Sequence, residues 1–303
     1  MSLDTVVRPS WYSHGLNRLA YYRVAGVVAG RLPRRLRLGV ARLVGRAAGR
    51  RLAEERARVR GNLARILPGV GARALEHAVG ETFANFAACF SDFLTVNRGS
   101  PARLCEYVSQ RVGEEHLDLA CQAGRGVILL TAHLGNWELG GRLLVPRLDR
   151  LTHIVLAGEQ DAGLERYFRR EGERLRFVTR RHATSTLGLL AALRRNEAVA
   201  MQGDRPTGER GDVLAEFFGA PAAFPIGPFV LARAAGAPVV PAYCAMDADH
   251  RYRITVEPPV WVKPGEEATA LAAMVATLER AIRAHPTQWF NFFDVWSPPR
   301  VAA

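Results

Sequence analysis

His133 and Glu138, in the run Thr131-Ala-His133-Leu-Gly-Asn-Trp-Glu138, are the residues of this chain best placed by type and spacing to move a proton. An apolar run ends just before them, a polar turn carries the histidine, and a helical stretch starts at Asn136. In open α/β sheets, ligands gather at the carboxyl ends of strands. An imidazole there can take a proton from a hydroxyl. A carboxylate beside it fixes the ring tautomer and favours the imidazolium that forms. The same spacing also suits a histidine that satisfies backbone groups in a turn.

Two further segments have chemistry-bearing composition. Gln202-Gly-Asp204-Arg205-Pro206 follows a second apolar run and could bind a phosphate or a polar acceptor, or form a local ion pair at the surface. Phe217-Phe-Gly219-Ala-Pro-Ala-Ala-Phe224-Pro225-Ile-Gly227-Pro228 leads into a helix. Small residues at a helix start let backbone amides approach an anion, and a packed turn explains them equally. Arg180 and Arg181 read either as a basic rim or as a solvated charge run. No GxSxG elbow is present and no cysteine adjoins the histidine motif, so nothing favours a covalent acyl-enzyme.

The elements that must position these residues follow from hydrophobic period. Residues 15–60 read as helices broken near Pro33. In the second, Leu36, Val40, Leu43, Val44 and Ala47 share one face, while Arg34, Arg35, Arg42 and Arg46 fall on another. That amphipathic basic pattern suits a membrane interface, or a face packed on the protein's own core. A helix is expected at about 72–94, with the stripe Leu75, Val79, Phe83, Phe86 and Phe90. Such a stripe packs a core or lines a channel for an acyl chain. From residue 124, strands (124–131, 154–157, 198–202, 213–218, 238–245, 251–257) alternate with helices (from 136, 161–172, from 184, 228–235, 267–284). The expectation is an α/β fold, with an N-terminal helical, membrane-associating region over 1–123 and an α/β core over 124–303.

Charge sharpens that division. The chain of 303 residues carries a formal +12, and the first 60 residues hold 14 arginines against 3 acidic residues. The rest is close to neutral. A basic module of this kind takes an anionic partner, such as phospholipid head groups. Its confinement to one end, and the lack of any nucleic-acid-binding motif, argue against nucleic acid. The four cysteines have no CxxC spacing, which points away from zinc and redox sites and towards a reducing compartment. No secretory signal and no apolar run of roughly 18 residues is visible, so peripheral attachment is expected.

Taken in order, His133-x4-Glu138, Gly203-Asp204-Arg205, Phe224-Pro-x-Gly-Pro228 and Gly236-Ala-Pro-Val-Val-Pro241 resemble the lysophospholipid acyltransferase superfamily. The resemblance is strongest to its lipid A lauroyl/myristoyl acyltransferase branch, with phosphatidylinositol mannoside acyltransferases as near relatives. Arg60-Gly-Asn-Leu-Ala-Arg65 and Pro286-Thr-Gln-Trp289-Phe-Asn-Phe add to it, and it spans about residues 30–297. It implies a glycerol-phosphate-acyltransferase-like mixed sheet flanked by helices. It also implies acyl transfer from acyl-ACP or acyl-CoA to a hydroxyl of a membrane glycolipid, at the cytoplasmic face of a bacterial inner membrane. His133 would be the base and Glu138 its orienter. Asp204 would hold Arg205 against the acceptor, and Asn136, Phe224, Gly227 and Arg180 would complete the substrate site. Backbone amides at 135–138 or 225–228 would stabilise the oxyanion. No cofactor or metal is implied. Two features qualify the resemblance: many members of that branch have an N-terminal membrane-spanning anchor, which is not visible here, and the wider superfamily has aspartate where Glu138 stands, a difference that favours the lipid A-like branch without fixing the acceptor.

Three rival readings share these residues. One is a metal-dependent hydrolase using His133, Glu138 and Asp204, though HExxH is absent. Another is a non-enzymatic basic protein that binds membranes. The third is an acyltransferase for a non-lipid hydroxyl or amine.

Overall fold

The computed structural model describes residues 30–96, 104–156, 174–179, 183–208 and 211–297. Arg180, Arg181 and the helix expected at 161–172 lie outside the described residues.

Among the described residues, three long helices precede the sheet: α1 (Arg34–Arg51), α2 (Ala53–Ile66) and α3 (Ala72–Val96). Pro33 stands at the start of α1, where its missing N–H costs nothing. The buried side of α1 is narrow, with Leu38, Gly45 and Gly49 at its centre, and it lies on α3. A Cβ on Gly45 would come within 2.4 Å of the Phe83 carbonyl oxygen, and one on Gly49 within 2.5 Å of the Phe83 ring. Glycine is what lets the two backbones meet.

Of the two places the apolar face of α1 could go, the protein's own core is not where it lies. Leu36, Val40, Leu43 and Val44 face solvent. Arg34, Arg42 and Arg46 turn towards α3 instead, because α3 offers them acids. Arg34 makes a forked contact with Asp92 at 3.2 and 2.7 Å, and Arg37 reaches the same carboxylate at 2.5 Å. Glu81 takes both Arg42 and Arg46. Of the four arginines on the basic face, Arg35 alone is exposed.

The sheet has seven strands. They are β1 (Val108–Val112), β2 (Val127–Thr131), β3 (Thr152–Leu156), β4 (Leu175–Thr179), β5 (Ala198–Gln202), β8 (Val239–Met246) and β9 (Tyr252–Val256), in the order β1-β9-β8-β2-β5-β3-β4. Only the β8–β9 pair is antiparallel. Every residue of β8, and the first four of β2, are buried. That burial on both faces explains why these segments read as unbroken apolar runs. The covering helices are α4 (Glu114–Gln122), α5 (Trp137–Leu148), α6 (Ala183–Arg194), α7 (Gly227–Ala235) and α8 (Glu267–Ala284). β1 lies before residue 124, yet it joins the sheet edge through β9.

A separate hairpin pairs β6 (Asp212–Phe217) with β7 (Ala220–Pro225). Its two turn residues, Phe218 and Gly219, both have positive φ, at 49° and 73°. That backbone matches the twist of a tight hairpin. The sequence of 217–228 reads as one turn before a helix. The structure resolves it into a turn, a strand and the start of α7.

The candidate active site

β2 and β5 are adjacent and parallel, with Thr131 opposite Gln202. His133 lies two residues past the first and Asp204 two residues past the second. The shared register therefore carries both side chains off the same sheet edge, side by side. Gly203 N–H donates to the Thr131 carbonyl at 2.9 Å and locks the two exits together. His133 Nδ1 then meets Asp204 Oδ1 at 2.7 Å.

Asp204 is 1% exposed and fully engaged. Its Oδ2 accepts from Trp289 Nε1 at 3.1 Å and from Asn291 Nδ2 at 3.3 Å. Burial pushes its pKa up. The charge and hydrogen bond of His133, with the charge of Arg205, outweigh that and hold the carboxyl well below the usual range. His133 is displaced downwards, first by burial and then by Arg205, against the raising influence of Asp204. The site therefore presents a carboxylate beside an imidazole biased towards its neutral form.

Glu138 sits in the first turn of α5, half-buried. Burial raises its pKa, against the charge of Arg142 and a hydrogen bond from Trp137. The Trp137 ring stands edge-on to His133 at 5.0 Å between centroids. The residue seen on His133 Nδ1 is thus Asp204, which the sequence places with Arg205. Arg205 in turn donates to Asn291 Oδ1 at 2.6 Å and to the Phe290 carbonyl at 2.7 Å.

The other expected site residues divide. Asn136 is buried and caps α5: its Oδ1 accepts from Leu139 N–H at 3.1 Å, and its Nδ2 donates to the Cys89 carbonyl and to Tyr252 Oη. This is a structural role in place of the expected substrate contact, because its polar atoms are spent inside the protein. Phe224 is fully buried on β7 and packs edge-on against Phe217, so it braces the hairpin. Gly227 is exposed at the start of α7. Among the amides expected at an oxyanion, Gly135 donates to the Gln288 carbonyl, Asn136 to Cys244 and Ile226 to Gly211. Pro225 and Pro228 have no N–H. The two expected sets reduce to Trp137, Glu138 and Gly227.

Trp289 and Asn291 are the residues that sequence reasoning missed. The tail after α8 runs back across the site, where Phe290 N–H donates to the His133 carbonyl at 2.8 Å. Residues two apart on an extended segment share a side, so Trp289 and Asn291 both reach Asp204. That spacing of two polar donors within an aromatic run was the available signal. Asn62 of α2 fastens the tail by donating to the Asn291 and Phe293 carbonyls at 3.0 and 2.8 Å. Phe86, Phe290 and Trp137 form a connected aromatic wall that continues to His133.

A mostly parallel sheet with a buried histidine–carboxylate pair at its strand ends is the framework of an α/β enzyme that handles protons. The chain belongs to the bacterial lipid A biosynthesis acyltransferase family, whose model matches residues 16–297, and it is an acyltransferase. It is similar to a phosphatidylinositol mannoside acyltransferase of Mycobacterium tuberculosis, at 28% identity over 78% of this chain and 76% of the relative. One from Mycolicibacterium smegmatis is 25% identical, with 78% of each chain covered. A lipid A biosynthesis palmitoleoyltransferase of Escherichia coli is 27% identical over 58% of each chain.

Proposed function

We propose that this protein transfers a fatty acyl chain from an acyl thioester, on acyl carrier protein or coenzyme A, to a hydroxyl of a membrane glycolipid. The observation that carries the mechanism is the 2.7 Å contact between His133 Nδ1 and the buried Asp204 carboxylate. With its proton kept on Nδ1, the ring has its lone pair on Nε2, where it can take the proton of the acceptor hydroxyl. The oxygen attacks the thioester carbonyl and the tetrahedral oxyanion collapses with loss of the thiolate. The imidazolium returns its proton to that leaving sulfur. Asp204 orients the ring and stabilises its charged form, the role that the sequence gives to Glu138. Glu138 holds Trp137 against the ring from the α5 side, and Arg205 adds positive charge at the rim for an anionic acceptor. Trp137, Glu138 and Gly227 supply the candidate oxyanion amides.

A lipid A precursor is the acceptor the family description favours. The longer match to phosphatidylinositol mannoside acyltransferases favours a mannosylated inositol lipid as the second reading. The reaction takes place at the cytoplasmic face of the inner membrane. The test is mass spectrometry of each glycolipid pool after incubation with acyl-ACP and with acyl-CoA. A lipid heavier by one acyl chain is expected, absent with His133→Ala. No acylated lipid from any pool with either donor would overturn the reading.

A further inference from the structure

α1 inverts the usual arrangement of a surface helix. Its sequence contains no acidic residue, and its arginines supply most of the polar groups. Yet Arg34, Arg37, Arg42 and Arg46 are drawn inward by Asp92 and Glu81. What the helix shows to the outside is a ridge of Leu36, Val40, Leu43 and Val44, exposed by 55, 47, 67 and 58%. At helical spacing these four lie on one side, opposite Leu38, Gly45 and Gly49. Their span is about 12 Å at 1.5 Å per residue, which fits a helix lying along an interface. Among the described residues, no helix is long and apolar enough to cross a membrane.

We infer that this apolar ridge is the surface by which the protein seats in an anionic phospholipid bilayer, with the leucines and valines as the inserting groups. Charge around the ridge selects that occupant. Arg35, Arg50 and Arg51 are exposed on the same helix, and no carboxylate of α1 opposes them. Apolar side chains bordered by arginine match acyl chains bordered by phosphate. The inward arginines serve the seat indirectly: Asp92 and Glu81 hold the helix so that the ridge points out. The inference rests on the proposed membrane-lipid acceptor only for its biological purpose. The ridge itself is a property of the chain.

The test uses the purified full chain in flotation with phosphatidylglycerol vesicles, and light scattering without lipid. Leu43→Glu/Val44→Glu is compared with Leu187→Glu, which places the same charge on another exposed leucine of 67% exposure. The double variant is expected to bind vesicles at least roughly tenfold more weakly, since it forfeits apolar burial and brings a charge to the lipid. Leu187→Glu is expected to bind as wild type does, and thermal melts confirm that both variants are folded. Moving from 0.1 to 1 M salt is expected to weaken wild-type binding less than the double variant does. Wild-type flotation unchanged in the double variant would overturn the inference. So would a lipid-free dimer that the double variant dissociates, without vesicle binding, because a second copy would then be the occupant. Flotation as expected, with no lipid acylated, would sink the acceptor reading and leave the ridge standing.

Discussion

An imidazole with Nδ1 at 2.7 Å from a buried carboxylate keeps its proton on that nitrogen. Asp204→Asn offers an amide where the charge stood, and turnover is expected to fall by about 10²–10⁴, in the range of a lost base or orienter. Steady-state kinetics with folded protein checks this. The pH dependence has a definite sign. Activity needs neutral imidazole, so it is lost as pH falls through the His133 pKa. Burial and Arg205 lower that pKa, which puts the acid limb of kcat/KM below about pH 6.5. Arg205→Gln removes a cation that lowers it, so the limb is expected to move to higher pH. A limb that stays in place would show that Arg205 does not act on the ring electrostatically. At this scale the sequence was legible in part. His133 and Asp204 are recognisable as strand-end residues, but their contact depends on β5 lying beside β2. Sheet order is a non-local property that spacing does not encode, so the sequence shows Asp204 only beside Arg205, its neighbour in the chain.

Most elements follow from local pattern. β5, α8 and the start of α5 fall where period and apolar runs put them. The edge strand β1 escaped because its burial is confined to its first residues. Of the hairpin, β6 is legible and β7 escaped, because Phe218-Gly219 is a tight turn set inside a run of small residues and prolines. α1 is legible in part. A helical wheel shows its two faces, but only the acids of α3 determine that the arginines turn inward. Close approach is essential to that contact. Gly45→Ala is expected to destabilise the fold by about 1–3 kcal/mol through overpacking, despite a gain of about 1 kcal/mol in helix propensity. A melting temperature that rises would contradict this. Gly135 is tighter still, with φ of 60° and a Cβ that would sit 2.1 Å from the Cys244 carbonyl. It fixes the turn between His133 and α5.

Across the whole molecule, the site is braced from distant parts of the chain. Asp92 binds Arg34 and Arg37 of α1 and accepts from Tyr252 Oη at 2.9 Å, and Tyr252 reaches the Asn136 cap. Asp92→Ala would leave the buried Arg37 without its carboxylate, at an expected cost of about 3–5 kcal/mol in chemical denaturation. A loss under 1 kcal/mol would show that the network carries little load. On the other side, Asn85 donates to Thr287, and Asn62 fastens the strip that brings Trp289 and Asn291 to Asp204. These connections join positions more than 200 residues apart, which is why the tail motif was visible in the sequence while its role was not.

The most direct measurement is lipid acylation by Asp204→Asn, followed by mass spectrometry beside wild type, His133→Ala and Glu138→Gln. If His133 and Asp204 form the working pair, Asp204→Asn loses product nearly as far as His133→Ala does. Near-wild-type product from Asp204→Asn, with activity abolished in Glu138→Gln, would contradict the pairing and return the orienting role to Glu138.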